Sequence, residues 1–96
     1  MGTIYDVAIV GSGPAGYSAS IYLSRYKLSN IIFGKMIGGT ISEAHKVCNY
    51  PGVCDVSGLE LGMKFQKQAT DQGAQIAIES VTDIKKENDL FNLITD

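Results

Sequence analysis

The sequence predicts an α/β fold, a doubly wound parallel sheet followed by a C-terminal β-hairpin. Three observations carry that prediction. Short, continuous apolar runs at Val7–Val10 and Ile31–Phe33 have the composition of strands buried on both faces of a parallel sheet. A segment of helical period lies between them, and a second, well-signalled helix separates them from a third short run at Gln75–Ile78. Two alternating segments then flank a polar turn at the end of the chain. The order β-α-β, long loop, α-β, hairpin matches parallel strands joined by right-handed crossovers.

The elements follow in order. Ile4–Val10 reads as the first strand, and Gly11-Ser12-Gly13-Pro14-Ala15-Gly16 follows it directly. A helix is expected from Pro14 to about Tyr26, because proline suits a first helical turn, where its missing N–H costs nothing. Ala15, Ala19, Tyr22, Leu23 and Tyr26 recur at spacings of three and four and are expected to form its inward stripe. Tyr17, Tyr22 and Tyr26 are read as packing residues. Ser29-Asn30 turns the chain into the second strand. Gly34 to Gly52 reads as irregular, with a strong turn at Asn49-Tyr50-Pro51-Gly52. Ser57 with Glu60 three residues on forms a capping-box pattern. The helix it opens is expected to reach Gln72, with Leu61, Phe65 and Ala69 inward and Gly73 ending it. Val81–Lys86 and Leu90–Thr95 are expected to form a hairpin around Glu87-Asn88-Asp89 with one wet face, Lys85-Lys86 lying on its solvated part.

Composition narrows the function. The 96 residues amount to one domain at most, and 45% hydrophobic content with 19% charge is globular rather than disordered. A net charge of -2 gives no electrostatic reason to expect nucleic acid or an acidic membrane as partner. No apolar run approaches the ~18 residues that span a bilayer. Met1–Asp6 lacks the features of a secretory leader, and Asp6 stands where a Gly2 myristoylation motif wants Ser or Thr. A cytoplasmic location is expected. Two cysteines, Cys48 and Cys54, are too few for a disulfide scaffold, and with His45 they fall short of a four-ligand metal site. No metal is expected.

The chemistry-bearing motif is Gly11-x-Gly13-x-x-Gly16, placed between a buried strand and a helix, as a dinucleotide fingerprint requires. Gly11 permits the tight turn, Gly13 lets a pyrophosphate approach the backbone, and Gly16 allows close helix packing. The helix N-terminus then faces the phosphates with free N–H groups and the positive end of its dipole. A Rossmann-like dinucleotide site follows. The acidic residue expected about 20 residues on, to hold a ribose hydroxyl, is missing. Gly34-Lys35 stand there, and no Asp or Glu occurs between Asp6 and Glu43. Lys35, or backbone N–H groups of the Gly38-Gly39 turn, would take that role.

At this point the residues resemble a known family. Gly11-Ser12-Gly13-Pro14-Ala15-Gly16-Tyr17 followed by Ala19, then Gly38-Gly39, then Asn49-Tyr50-Pro51-Gly52 and Ser57-Gly58-Leu59, are similar to the start of low-molecular-weight thioredoxin reductases, flavoproteins among the pyridine nucleotide-disulphide oxidoreductases. The resemblance covers essentially the whole chain and implies FAD as the dinucleotide. It implies that Ser12, Pro14 and Ala15 line the pyrophosphate, that Gly39 and Thr40 approach the flavin side, that Asn49 hydrogen-bonds the flavin end, and that Val81 meets the adenine through its backbone. Thr40 departs from the family's usual Gln and Cys48 from its usual Glu. The family's C-x-x-C dithiol and NADPH site belong to a later domain, so residues 1–96 are expected to be the N-terminal portion of an FAD-binding domain, incomplete and inactive alone. The implied partner is a thioredoxin-like protein disulfide, and the implied assembly a homodimer. The electron donor, NADPH or ferredoxin, stays open.

Plainer readings stand beside these. Cys48 and Cys54 straddle a Pro-Gly turn that could bring them together, but their spacing favours unreactive thiols. His45 reads as a loop residue rather than a proton donor beside a flavin. The alternatives in function are an NAD(P)-binding dehydrogenase fragment, which the missing acid and the Asn49–Gly52 turn disfavour, and a non-catalytic nucleotide-binding module. The resemblance also implies that the first strand's neighbour comes from a later segment of such proteins, so that strand is expected to form an unpaired apolar edge that promotes association.

Overall fold

The computed structural model describes residues 3–96, so the Met1-Gly2 end, read above as neither leader nor acylation site, lies outside the described residues. Three parallel strands, β1 (Val7–Val10), β2 (Asn30–Phe33) and β3 (Gln75–Ala77), form one sheet in the order β1-β2-β3. The helices α1 (Pro14–Arg25) and α2 (Gly58–Asp71) make the two crossovers. An antiparallel hairpin, β4 (Val81–Glu87) and β5 (Leu90–Thr95), follows. The α/β fold with a Rossmann-like parallel sheet and C-terminal hairpin is thus the one expected. Within the stretch read as irregular, Gly39–Glu43 forms a 3-10 turn. Isolated bridges between Val47 and Val56 and between Tyr50 and Val53 fold a small arm there.

The core lies on one side of the sheet. Register aligns Ile9, Ile32 and Ile76 in a row across the three strands. On that row sit Tyr17 and Ile21 from α1, Phe65 and Ala69 from α2, and Ala74. Successive crossovers in one direction lay both helices on this face. The other face carries Ala8 and Val10 exposed, Val10 at 55%, with Ile31 and Phe33 half-buried. This corrects the expectation of strands covered on both sides: an apolar run records that a strand can be buried, whereas burial itself depends on which elements pack there. β1 is the outer strand of the sheet among the described residues, the unpaired edge that was expected.

Two further expectations are corrected. The inward stripe of α1 is not Ala15, Ala19, Tyr22 and Tyr26. These are exposed, Tyr22 at 64% and Tyr26 at 76%, and Leu23 is half-buried. Tyr17 and Ser20 face inward instead. The polar member is tolerated because it is matched. Ser20 Oγ donates to Asn30 Oδ1 at 2.5 Å, and Asn30 Nδ2 donates to Ser24 Oγ (3.0 Å) and the Leu28 carbonyl (3.1 Å). Each buried polar atom in this set has a partner, so burial carries little penalty. The hairpin, for its part, has two wet faces rather than one. Ile84, Leu90, Phe91 and Ile94 are all exposed, and only Val81, Leu93 and Thr95 are half-buried. Its Asn88-Asp89 turn is tight, with Asn88 at φ 57, as the Glu87-Asn88-Asp89 signal implies.

α2 forms as its sequence dictates. Glu60 N–H donates to Ser57 Oγ (3.1 Å) and Ser57 N–H to Glu60 Oε1 (3.4 Å), completing the capping box. Leu61 and Ala69 are buried and Phe65 half-buried. Gly73 at φ 117 ends the helix.

Candidate nucleotide site

All three parallel strands end on the same edge of the sheet, where α/β folds bind ligands. The ladder extends one residue into each loop: Gly11 N–H donates to the Phe33 carbonyl (2.8 Å) and Gly34 N–H to that of Ala77 (3.1 Å). The Gly11–Gly16 loop therefore leaves the sheet beside Gly34, in a fixed position.

The three fingerprint glycines are required for different reasons. Gly11 has φ 123, a conformation that side chains rarely adopt. A Cβ on Gly16 would overlap the Gly11 carbonyl oxygen and crowd Ile9. Gly13 has neither constraint. Its backbone is extended (φ -91, ψ -175), and a Cβ there would meet only the Gly38 carbonyl oxygen at an ordinary 3.8 Å. The chain itself has room for a Cβ at position 13.

The loop is locked to its surroundings by backbone contact. Ser12 is buried, and its hydroxyl donates to the Met36 carbonyl (2.7 Å), which also accepts from Gly39 N–H (2.9 Å). A Cβ on Gly34 would overlap Ser12 Oγ. A Cβ on Gly39 would stand 3.1 Å from Gly13 Cα, and one on Gly38 would stand 2.9 Å from Gly62 Cα in α2. A Cβ on Gly58 would overlap the Ile41 carbonyl oxygen outright. The loop, the Gly38-Gly39 turn and α2 are thus stacked without side chains between them. Position 34 has no room for the acid of the usual fingerprint. Sequence reasoning met Gly58 only within the Ser57-Gly58-Leu59 match and missed Gly62, whose one signal is that glycine inside a helix costs up to about 1 kcal/mol relative to alanine.

At the N-terminus of α1, Pro14 has no N–H, Tyr17 N–H reaches the Gly13 carbonyl (3.1 Å), and the Ala15 and Gly16 N–H groups have no intrahelical acceptor. Among the described residues no side chain caps this end, and its first turn holds no acidic residue. Behind it, Tyr17 is 1% exposed and its hydroxyl has no hydrogen-bond partner among the described residues. Burial pushes that phenol above its usual pKa, against smaller opposing pulls from the Gly38 backbone and the Ser12 hydroxyl.

The remaining expected residues fall into two groups. Thr40 is exposed in the 3-10 turn beside Gly39. Lys35 and Val81 lie on the other flank. Lys35 pairs with Asp96, whose backbone N–H donates to the Ser80 carbonyl (3.1 Å), next to Val81 at the hairpin base. The Lys35 ammonium and the Ser80 N–H hold the Asp96 carboxyl below its usual pKa. Lys35 therefore already has a carboxylate partner. Asn49 is exposed on the small arm. Its neighbour Tyr50 packs edge-on against Phe65, with ring centroids 5.9 Å apart, and lines a groove with Pro14 and Ala15. His45 is exposed in a loop. No helix among the described residues is long and apolar enough to cross a membrane.

Known proteins agree with this arrangement. The family model for pyridine nucleotide-disulphide oxidoreductases matches residues 5–95. The thioredoxin reductase of Treponema pallidum is 42% identical over 97 residues, covering 99% of this chain and 32% of the relative. That of Peptoclostridium acidaminophilum is 40% identical over 86 residues, covering 88% and 27%. Among solved structures, the T. acidophilum thioredoxin reductase superposes with a TM-score of 0.86 at 38% identity, covering 96% of this chain and 31% of that one. A ferredoxin-flavin thioredoxin reductase from Clostridium acetobutylicum does so at 0.82 and 38%, covering 95% and 32%. The chain spans between a quarter and a third of the length of these two curated relatives.

Proposed function

The chain belongs to the pyridine nucleotide-disulphide oxidoreductase family, and we propose that it is the FAD-binding part of a thioredoxin-reductase-like flavoprotein that passes electrons from NADPH or ferredoxin through FAD to a protein disulfide. The observation that carries this reading is position 13. It is a glycine that the chain's own packing does not require, beside a helix N-terminus left without cap or acid. Both features fit an anionic group lying against the loop. The residues present accommodate a pyrophosphate there.

In this reading Gly11, Ser12, Gly13, Pro14 and Ala15 hold the pyrophosphate, the Ala15 and Gly16 N–H groups facing its charge. Ser12 keeps the loop in place through the Met36 carbonyl. Gly39 and Thr40 approach the flavin side, Asn49 its far end, and Val81 the adenine through its backbone. Lys35 reaches the ribose, for which it must exchange Asp96 as partner. Bound FAD supplies two-electron transfer between the donor and a disulfide. The sequence holds one glycine fingerprint and no C-x-x-C, so the NADPH site and redox dithiol of such an enzyme lie outside these residues. A thioredoxin-like partner, a homodimeric assembly and a cytoplasmic location belong to the same proposal.

The test is flavin titration of the purified chain, read by visible absorbance retained through gel filtration. Retained flavin, with no NADPH-dependent disulfide reduction by the chain alone, is the expected result. A colourless protein that binds NAD would instead make it a dehydrogenase-type module, and one that binds neither would overturn nucleotide binding.

A further inference from the structure

The small arm between the 3-10 turn and α2 carries chemistry that nucleotide binding does not use. Val47 pairs with Val56 and Tyr50 with Val53, so Cys48 stands opposite Asp55 and Cys54 opposite Asn49. A regular ribbon would send the two cysteines to opposite faces. Here Gly52 (φ 87) and Asp55 (φ 59) both take left-handed conformations and twist the ribbon beside Cys54. As a result the Cys48 Sγ, the Cys54 Sγ and an Asp55 carboxylate oxygen all lie within 4.8 Å of one another. Both cysteines are free and exposed.

The geometry points to a redox-switchable pair, in which Cys48 and Cys54 close a reversible disulfide across the Asn49–Val53 turn. With hydrogen peroxide as oxidant, one thiol attacks an oxygen. An S–O bond forms, the O–O bond breaks, and water leaves a sulfenic acid. The second thiol then attacks that sulfur, the S–S bond forms, the S–O bond breaks, and a second water leaves. Two thiols give up two electrons and two protons, and peroxide becomes two waters. A dithiol reductant reverses the bond by exchange. The sulfurs lie no more than 4.8 Å apart, so a closure of at most about 2.8 Å brings them to the ~2.05 Å of a disulfide, and both thiols are exposed on the arm. The third member of the cluster disfavours a metal instead. Asp55 already pairs with the Lys46 ammonium (3.0 Å), accepts from the Cys48 thiol (3.8 Å), and leaves a tetrahedral ion one protein ligand short. Tyr50 lies within the closed loop and packs on Phe65, which in turn meets Tyr17, so the bond staples an arm seated on the core.

This inference does not depend on flavin and is tested on the flavin-free chain. Both cysteines fall on the single tryptic peptide Val47–Lys64. After limiting peroxide at low micromolar protein, both free thiols should be lost together. The peptide should be lighter by two hydrogens and refuse alkylation, the chain should stay monomeric by non-reducing electrophoresis, and dithiothreitol should restore both thiols. Cys48→Ser and Cys54→Ser should each accumulate a sulfenic acid trapped by dimedone, which the parent chain does not accumulate. Dimedone adducts or intermolecular disulfides forming as fast in the parent as in the single variants would overturn the proposal. So would one equivalent of Zn2+ retained through desalting by the reduced parent and lost from both variants, which would make the cluster a metal centre.

Discussion

Helix α2 opens with its own anchors. Ser57 and Glu60 exchange hydrogen bonds across its first turn, and Glu60 places negative charge at the positive end of the dipole. Helix α1 opens on Gly13 and Pro14, with no capping side chain and no acid in its first turn. Both are ordinary amphipathic crossovers against the same sheet face. The difference is that α2 satisfies its N-terminus internally, whereas α1 leaves donors and dipole directed at the edge where the strands end. In a fold that takes care to cap one helix, the uncapped one is where an external anion contributes most.

The largest expected effects separate folding from binding at the two neighbouring glycines. Gly16→Ala drives a Cβ into the Gly11 carbonyl, and overpacking of this kind costs about 1–3 kcal/mol or more, so urea unfolding should show a clear loss of stability. Gly13→Ala adds only the Cβ for which there is 3.8 Å clearance on an extended backbone, so its unfolding midpoint should stay near the parent value, and Gly13→Val, whose backbone is equally permitted, should still fold. It should nevertheless lose flavin in gel filtration. A folded Gly13→Val chain that retains flavin as the parent does would show that nothing approaches the backbone there.

A second substitution makes α1 resemble α2. Ala15 is exposed in the first turn of α1. Ala15→Glu should raise thermal stability of the flavin-free chain by about 0.5 kcal/mol through the dipole. The same carboxylate should weaken flavin affinity by competing for the N-terminus. Affinity unchanged or improved would mean that α1's free end serves no anion. The reciprocal control is Ser57→Ala, expected to cost about 1 kcal/mol of stability with flavin affinity unaltered.

The contrast between helices also marks what the sequence made legible. The caps and apolar stripe of α2 were readable, since Ser57, Glu60, Leu61, Ala69 and Gly73 act within the helix or one turn beyond it. The buried face of α1 was not. Ala15, Ala19, Tyr22 and Tyr26 form a convincing apolar stripe that faces solvent, and the helix instead buries Ser20 against Asn30. Hydropathy counts each as polar, but their mutual hydrogen bonds are a pairwise property that no single position displays. The fingerprint was legible because its glycines are close in sequence. Its contact with Gly38-Gly39 and Gly62 was not, because close approach across three elements leaves only a glycine, a residue with many other uses. The partly uncovered second face of the sheet and the wet faces of the hairpin likewise depend on what packs there, not on the residues themselves.

The expected effect that can vanish altogether concerns Tyr17 at the back of α1. Its phenol is held above the usual value of 10.0, chiefly by burial. Between that value and the raised one, the unfolded chain ionises and the folded chain does not. The folded state binds more protons in that window, so its stability falls as pH rises through it. Tyr17→Phe removes a buried hydroxyl without a partner and should be neutral or stabilising by up to about 1 kcal/mol at neutral pH. It should also flatten the alkaline loss of stability, measured as the urea midpoint between pH 9 and 12. An alkaline slope that survives the substitution would place its source elsewhere.

The file of glycines from Gly13 through Gly39 and Gly38 to Gly62 has a consequence for how this surface tolerates change. Side chains that meet in a core can exchange rotamers and share out an added methyl group. Main chain resting on main chain has no such slack. A methyl group added in the interior of α2 at Gly62 would be passed as a rigid displacement into the turn and then into the loop. The loop's shape is therefore held in part by Gly62, a residue that never need touch a ligand, and drift in the sequence should be tightly confined even where the chain has no chemistry to display.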